Sequence, residues 1–132
     1  MMLLNTDVVS FILRGDDRGR AYFDLVRGHR LCVSFMTAAE LFAWAEIRHW
    51  GERRRAELEH LLTERYVLLG FELGLAREWA RIQAEATTAG RPMAAQDGWV
   101  AATARFFSLP LVTHNHADFR HVAGIRVLTL GS

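Results

Sequence analysis

Four places in this sequence put acids or amides where apolar elements end: Asn5-Thr6-Asp7, Glu40, Asp97, and Asn115 through Asp118. Carboxylates gathered at one point repel one another, so a site built from them needs a hard cation. Mg2+ or Mn2+, held by oxygen ligands and keeping some of its waters, is the natural choice, and metal-assisted phosphodiester cleavage is the chemistry it supports. Every one of these residues also has a purely structural explanation. Asn, Thr and Asp cap helices. Thr37-Ala38-Ala39-Glu40 matches a capping box, with Glu40 as the third helical residue. Asp97 suits the first turn of a helix, where the macrodipole favours an acid, and Asp118 could cap a short turn before Phe119. Spacing alone leaves both explanations open.

The candidate residues lie far apart in the chain, and only a folded parallel sheet could gather them. The opening run Met1 to Leu4 reads as a strand buried on both faces, with the polar triplet at its carboxyl end, where open α/β sheets carry their binding crevice. Helical spacing follows over Val8 to Arg14 and, after Gly15-Asp16-Asp17, over about Arg18 to Arg27. Leu31 to Ser34 is a second strand, Thr37 to His49 a helix ended by Gly51, Glu52 to Arg65 another helix, and Tyr66 to Leu69 a third strand. Arg53 and Arg55 precede Glu57 and Glu59 by four residues, the mark of a solvated face. A long helix from Glu72 to about Ala89, with Leu73, Ala76, Ala80 and Ala84 as its buried stripe, is broken by Gly90-Arg91-Pro92. Gln96 to Ser108 forms a helix, and Leu109 to Thr113 and Arg126 to Leu130 close the pattern as strands. Strands alternating with helices predict a three-layer α/β/α sandwich around a central, mainly parallel sheet.

Composition narrows the class. The 132 residues fit one domain, 1–132, able to bury a core without disulfides. The single Cys32, inside Leu31-Cys32-Val33, reads as a small buried hydrophobe and suits a reducing cytosol. Glu40 interrupts the richest apolar stretch, Leu31 to Ala45, so neither export nor membrane insertion is expected and the expected location is cytoplasmic. The net charge of +1 does not announce a nucleic-acid binder, although all 16 basic residues are Arg and guanidinium forks bind phosphate bidentately.

Four segments carry a family resemblance: Leu3 through Ser10, Val33 through Leu41, Gln96-Asp97 followed by Ala101 through Ala104, and Leu111 through Phe119. Together, in this order and at these separations, they resemble the PIN-domain ribonucleases, specifically the VapC-type toxins of bacterial toxin–antitoxin pairs, over essentially the whole length. The resemblance implies a PIN-like fold and an endoribonuclease dependent on Mg2+ or Mn2+. It makes Asn5, Glu40, Asp97 and Asp118 the catalytic and metal-binding positions, Asn115 sharing the fourth, with Thr6, Asp7 and Thr113 in support. It further implies structured RNA, such as tRNA, as substrate, a VapB-like antitoxin as inhibitor, and a homodimer. Asn5 departs from the pattern, since the family begins this triplet with Asp. An amide keeps a carbonyl oxygen as ligand but loses the charge that attracts a divalent cation.

Two other readings compete. One is a non-catalytic RNA- or partner-binding module, its metal binding abolished by Asn5. The other is a histidine-assisted metallohydrolase built on His114 and His116, although His-x-His on a loop without further ligands is a weak zinc signal.

Overall fold

A computed structural model describes residues 1–131 of the chain. The elements run β1 (Met2–Leu4), α1 (Thr6–Arg14), α2 (Asp17–Val26), β2 (Leu31–Ser34), α3 (Phe35–Ile47), α4 (Glu52–His60, running on as a π-helical turn over Leu61–Arg65), β3 (Val67–Leu69), α5 (Leu73–Thr88), α6 (Ala95–Phe106), β4 (Leu111–Val112), α7 (His116–Phe119) and β5 (Val127–Leu128). All strand pairings are parallel, in the order β3-β2-β1-β4-β5. The three-layer α/β/α expectation holds, with β1 at the centre.

The layers follow from the two-residue period of a strand. Leu4, Val33 and Val112 pack with Val8, Phe11, Tyr22 and Leu41 on one face. Leu3, Cys32 and Leu111 pack with Leu75, Ile82, Val100 and Phe119 on the other. Cys32 is fully buried and free, the small core hydrophobe expected of it. Gly19 lets α2 cross α1 closely, because a Cβ there would overlap the Phe11 carbonyl oxygen. Among the described residues no helix is long and apolar enough to cross a membrane.

Several boundaries differ from those read in the sequence. Helix α3 begins at Phe35, because Ser34 at the end of β2 is its N-cap and the Ser34 hydroxyl accepts from the Thr37 N–H at 3.1 Å. Thr37 is therefore not a cap, and Glu40 lies beyond the first turn rather than in a capping box. On α5 the buried face is Leu75 and Ile82, whereas Leu73 is 65 % exposed and Ala80 and Ala84 are exposed too. Large side chains turned this helix: burying Leu75 and Ile82, with Trp79 stacked on Trp99, removes more apolar area from water than burying alanines. On α4, Arg53 pairs with Glu57 in solvent as the spacing predicts. Arg55 instead turns to Glu46 and donates to the carbonyls of Ala45, in the last turn of α3, and of Trp50 beyond it.

Candidate metal centre at the carboxyl edge of the sheet

The strand order reverses between β1 and β4, and the crevice beyond such a switch point is where open parallel sheets bind ligands. The register pairs Leu4 with Val112, so one step further along both strands brings Asn5 beside Thr113. The Asn5 N–H donates to the Val112 carbonyl at 2.9 Å, and its side-chain Nδ2 donates to Thr113 Oγ1 at 3.0 Å. Asn5 is the N-cap residue of α1 by position, but its side chain makes no capping bond. The helix-cap explanation of Asn5 therefore fails: its amide is spent across the switch point.

Thr113, fully buried, is the junction of this half of the site. Its hydroxyl accepts from Asn5 Nδ2 and from the Asn115 N–H at 3.1 Å, and gives its own proton to Asp7 Oδ2 at 3.3 Å. Asp7 in turn accepts from the His114 N–H at 3.0 Å and, through Oδ1, from the Val8 N–H at 2.7 Å. Both Asp7 oxygens are thus occupied by protein donors. The residue ties the start of α1 to the end of β4 in a supporting position.

The acids enter from the helices. Glu40 projects from α3, and its Oε1 accepts from Thr6 Oγ1 at 3.1 Å. Thr6 also meets Thr37 Oγ1 at 2.9 Å, and Ser34 Oγ reaches Thr37 Oγ1 at 3.4 Å. This buried hydroxyl chain, Ser34 to Thr37 to Thr6, orients Glu40. Sequence reasoning does not single out Ser34 and Thr37 as orienting groups; the Ser-x-x-Thr spacing behind a strand is the signal that could find them. The Glu40 carboxyl is held above its ordinary pKa by burial, offset by the Thr6 bond and reinforced by the charge of Asp7.

Asp97 sits in the first turn of α6, whose N-cap, Ala94, supplies no side-chain bond. Its macrodipole position is real, yet its pKa is pushed up to about 6, first by burial and then by the charges of Asp118, Glu40 and Asp7. Residues separated by most of the chain therefore act on one carboxylate. Asp118, exposed on α7, accepts from Asn115 Nδ2, so the two residues read as sharing the fourth position are bonded to each other. Among the described residues no three His, Cys, Asp or Glu side chains converge to enclose an ion. The acids sense one another without closing, and one corner of the set is the amide Asn5. The donor set is oxygen throughout and carries excess negative charge, which fits a hard, partly hydrated cation such as Mg2+ or Mn2+ and no soft one.

The histidines do not form a second centre. His114 Nδ1 lies 2.7 Å from the hydroxyl of the fully buried Tyr22, which also accepts from the Leu130 N–H at 3.0 Å, and its ring packs edge-on against Phe11. Among the described residues no group of three His, Cys, Asp or Glu side chains gathers around His114 and His116, so the histidine-metal reading finds no ligand set.

Comparison with known proteins bears on the chain as a whole. A family model described as the PIN domain matches residues 2–125. The tRNA(fMet)-specific endonuclease VapC of Shigella flexneri is 31 % identical over 125 residues, covering 94 % of this chain and 93 % of that protein. Toxin FitB of Neisseria gonorrhoeae is 32 % identical over 126 residues, covering 90 % of this chain and 91 % of its own. Among solved structures, DNA-bound VapBC from Salmonella typhimurium superposes with a TM-score of 0.83 at 29 % identity over 98 % of each chain.

Proposed function

The chain belongs to the PIN-domain family, and from that premise we propose that it is the toxin of a toxin–antitoxin pair, a divalent-metal-dependent endoribonuclease. Its substrate is structured RNA of the tRNA class, its inhibitor a VapB-like antitoxin, and it works as a homodimer of one-domain subunits in the cytoplasm. The observation that carries the reading is geometric: the Asn5–Thr113, Thr113–Asp7 and Thr6–Glu40 hydrogen bonds and the cleft that Asp97 and Asp118 share gather distant segments at the carboxyl edge of the sheet, and burial with the neighbouring acids pushes the Asp97 carboxyl up to about 6. Structural caps have no reason to converge in this way.

In this reading Glu40, Asp97 and Asp118, with the carbonyl oxygen of Asn5, hold Mg2+ or Mn2+. The ion supplies an activated water and charge stabilisation at the scissile phosphate. The chain's own contribution is to fix the ligands. Thr6 holds Glu40, Asn115 holds Asp118, and Asp7 with Thr113 locks the edge of the sheet on which Asn5 stands. Burial of Asp97 keeps water from screening the acids from one another, and a cation entering among them relieves that repulsion. The reading is tested by incubating purified protein with tRNA in Mg2+, Mn2+ or EDTA, beside a version carrying Asn5→Asp. Metal-dependent cleavage that Glu40→Gln abolishes is the expected result. Cleavage that survives EDTA and Glu40→Gln would refute it.

The competing non-catalytic reading rests on one observation, that the Asn5 amide is fully integrated as a donor to Thr113. It predicts a chain that binds RNA or antitoxin and cleaves nothing until residue 5 is changed.

A further inference from the structure

Beside Asp97 and Asp118 opens a cleft of about 670 Å³, walled by the end of α5, the 90–94 loop and α7, within the roughly 300–1,000 Å³ usual for ligand sites. Its outer rim carries Arg91, Arg120 and His121. Arg91 Nη1 meets His121 Nδ1, and Arg120 Nε lies 3.2 Å from His121 Nε2, so two guanidiniums flank one imidazole. Arg91 and Arg120 make no ion pair among the described residues, and of the unpaired arginines these two line the cleft. The acid best placed to neutralise the rim, Glu85, is already committed to Arg105, with both oxygens engaged at 2.9 Å.

The backbone under these cations is built. Gly90, in the left-handed region at φ 70°, ends α5 in a Schellman motif, with its own N–H on the Thr87 carbonyl at 3.0 Å and the Arg91 N–H on the Ala86 carbonyl at 2.8 Å. Arg120 is the C-cap of α7, its N–H on the His116 carbonyl at 2.9 Å. The crowding of cations is felt by His121 itself, whose pKa is held below the ordinary value by desolvation and by the charges of Arg91, Arg120 and His116. Cations held together with no acid between them are a site for an anion that is not part of the chain.

We propose that Arg91, Arg120 and His121 form a phosphodiester subsite that takes an RNA backbone phosphate next to the one being cleaved, so that the strand leaves the acidic centre through this cleft. The proposal rests on the nuclease reading for the identity of the strand. Its polarity is chemically consistent: the acids Glu40, Asp97 and Asp118 would hold the cation that neutralises the scissile phosphate, and Arg91 and Arg120 receive its neighbour. The subsite fixes which way the polymer lies and leaves base choice to other parts of the surface.

The test uses the full chain carrying Asp97→Asn, in EDTA so that nothing is cleaved, titrated with a short fluorescein-labelled single-stranded RNA and read by anisotropy. Adding Arg91→Ser and Arg120→Ser should weaken binding about tenfold or more and flatten the dependence of log affinity on log salt by about 0.7 for each phosphate no longer neutralised. Arg91→Lys with Arg120→Lys should recover part of the affinity, because charge is restored without the guanidinium fork. If the double serine variant does not fold, Arg120→Ser alone must show the same direction. Equal affinity and equal salt slope in parent and variants would overturn the proposal, as would competition by poly-glutamate as strong as by RNA, which would assign the cleft to an acidic protein partner. Failure of the nuclease reading is distinguishable: RNA would still bind through these arginines while the chain with Asp97 intact and Asn5→Asp cleaved none in any divalent metal. Failure of the subsite alone would appear as cleavage whose KM does not change when the arginines are removed.

Discussion

The two halves of the candidate centre are built on opposite principles. In the half formed by the ends of β1 and β4, the polar side chains bond one another: Asn5 Nδ2 bonds Thr113, Thr113 bonds Asp7, and both oxygens of Asp7 are taken. In the half contributed by α3, α6 and α7, the Asp97 carboxyl is pushed up to about 6, first by its burial and then by the charges of Asp118, Glu40 and Asp7. The first half ties two strand ends together through hydrogen bonds, whereas the second keeps a carboxylate whose ionisation is opposed by burial and by neighbouring acids. A buried polar network contributes stability when its members are paired, and a strongly perturbed acid in a cleft marks a candidate functional site.

Removing acids from the second half should have the largest effect. In a chain carrying Asn5→Asp, either Glu40→Gln or Asp97→Asn should lower metal-dependent RNA cleavage by more than about a hundredfold while the fold survives, since even groups that merely support metal ligands are worth about 10–100-fold. Cleavage assays beside circular dichroism check this. Full activity of either variant would erase the distinction between the halves.

Next comes Asn5→Asp itself, which moves the boundary between them. It converts a donor to Thr113 into a fourth negative oxygen at nearly constant volume. Metal affinity and cleavage should rise together, about tenfold or more, while stability without metal stays level or falls through repulsion with Glu40, Asp97 and Asp118. Equal melting temperatures and equal activity would return residue 5 to a merely structural role.

Breaking the first half should instead cost stability. Thr113→Val leaves the buried Asn5 amide and the Asn115 N–H without their acceptor and should destabilise the chain by about 1–3 kcal/mol in denaturant melts. Removing the α3 cap by Ser34→Ala should cost about 1 kcal/mol.

The pH dependence has the smallest effect and the most definite sign. The folded pKa of Asp97 lies above its ordinary value of 3.8, at about 6. Its contribution to stability is therefore fully present below about pH 4 and lost as pH rises through about 6. Melts in EDTA should record that loss, and added Mn2+ should raise the melting temperature above about pH 7 and have little effect below about pH 4. A metal effect independent of pH would contradict the assignment.

The layers were legible because short apolar runs around Leu3-Leu4, Cys32-Val33 and Leu111-Val112, alternating with stretches of helical spacing, need no long-range information. What could not be read locally was settled by distant partners. Asn5 is a good helix cap by residue type, and only Thr113, on a strand paired to its own, makes its amide do something else. Glu40 resembled a capping-box residue until Ser34 claimed the cap. The face of α5 is hard to read because alanines at helical spacing are indifferent, while Leu75, Trp79 and Ile82 decide by size. Arg91 and Arg120 look like ordinary surface arginines in sequence, and only the fold brings both against His121.

The central claim, that Glu40, Asp97 and Asp118 hold one divalent cation, is tested most directly by calorimetric titration with Mn2+ near neutral pH. The titration is run on the chain with Asn5 and with Asn5→Asp, each with and without Asp97→Asn. The account predicts binding that strengthens with Asn5→Asp and is lost with Asp97→Asn in both backgrounds. Mn2+ binding of equal affinity in all four proteins would contradict it.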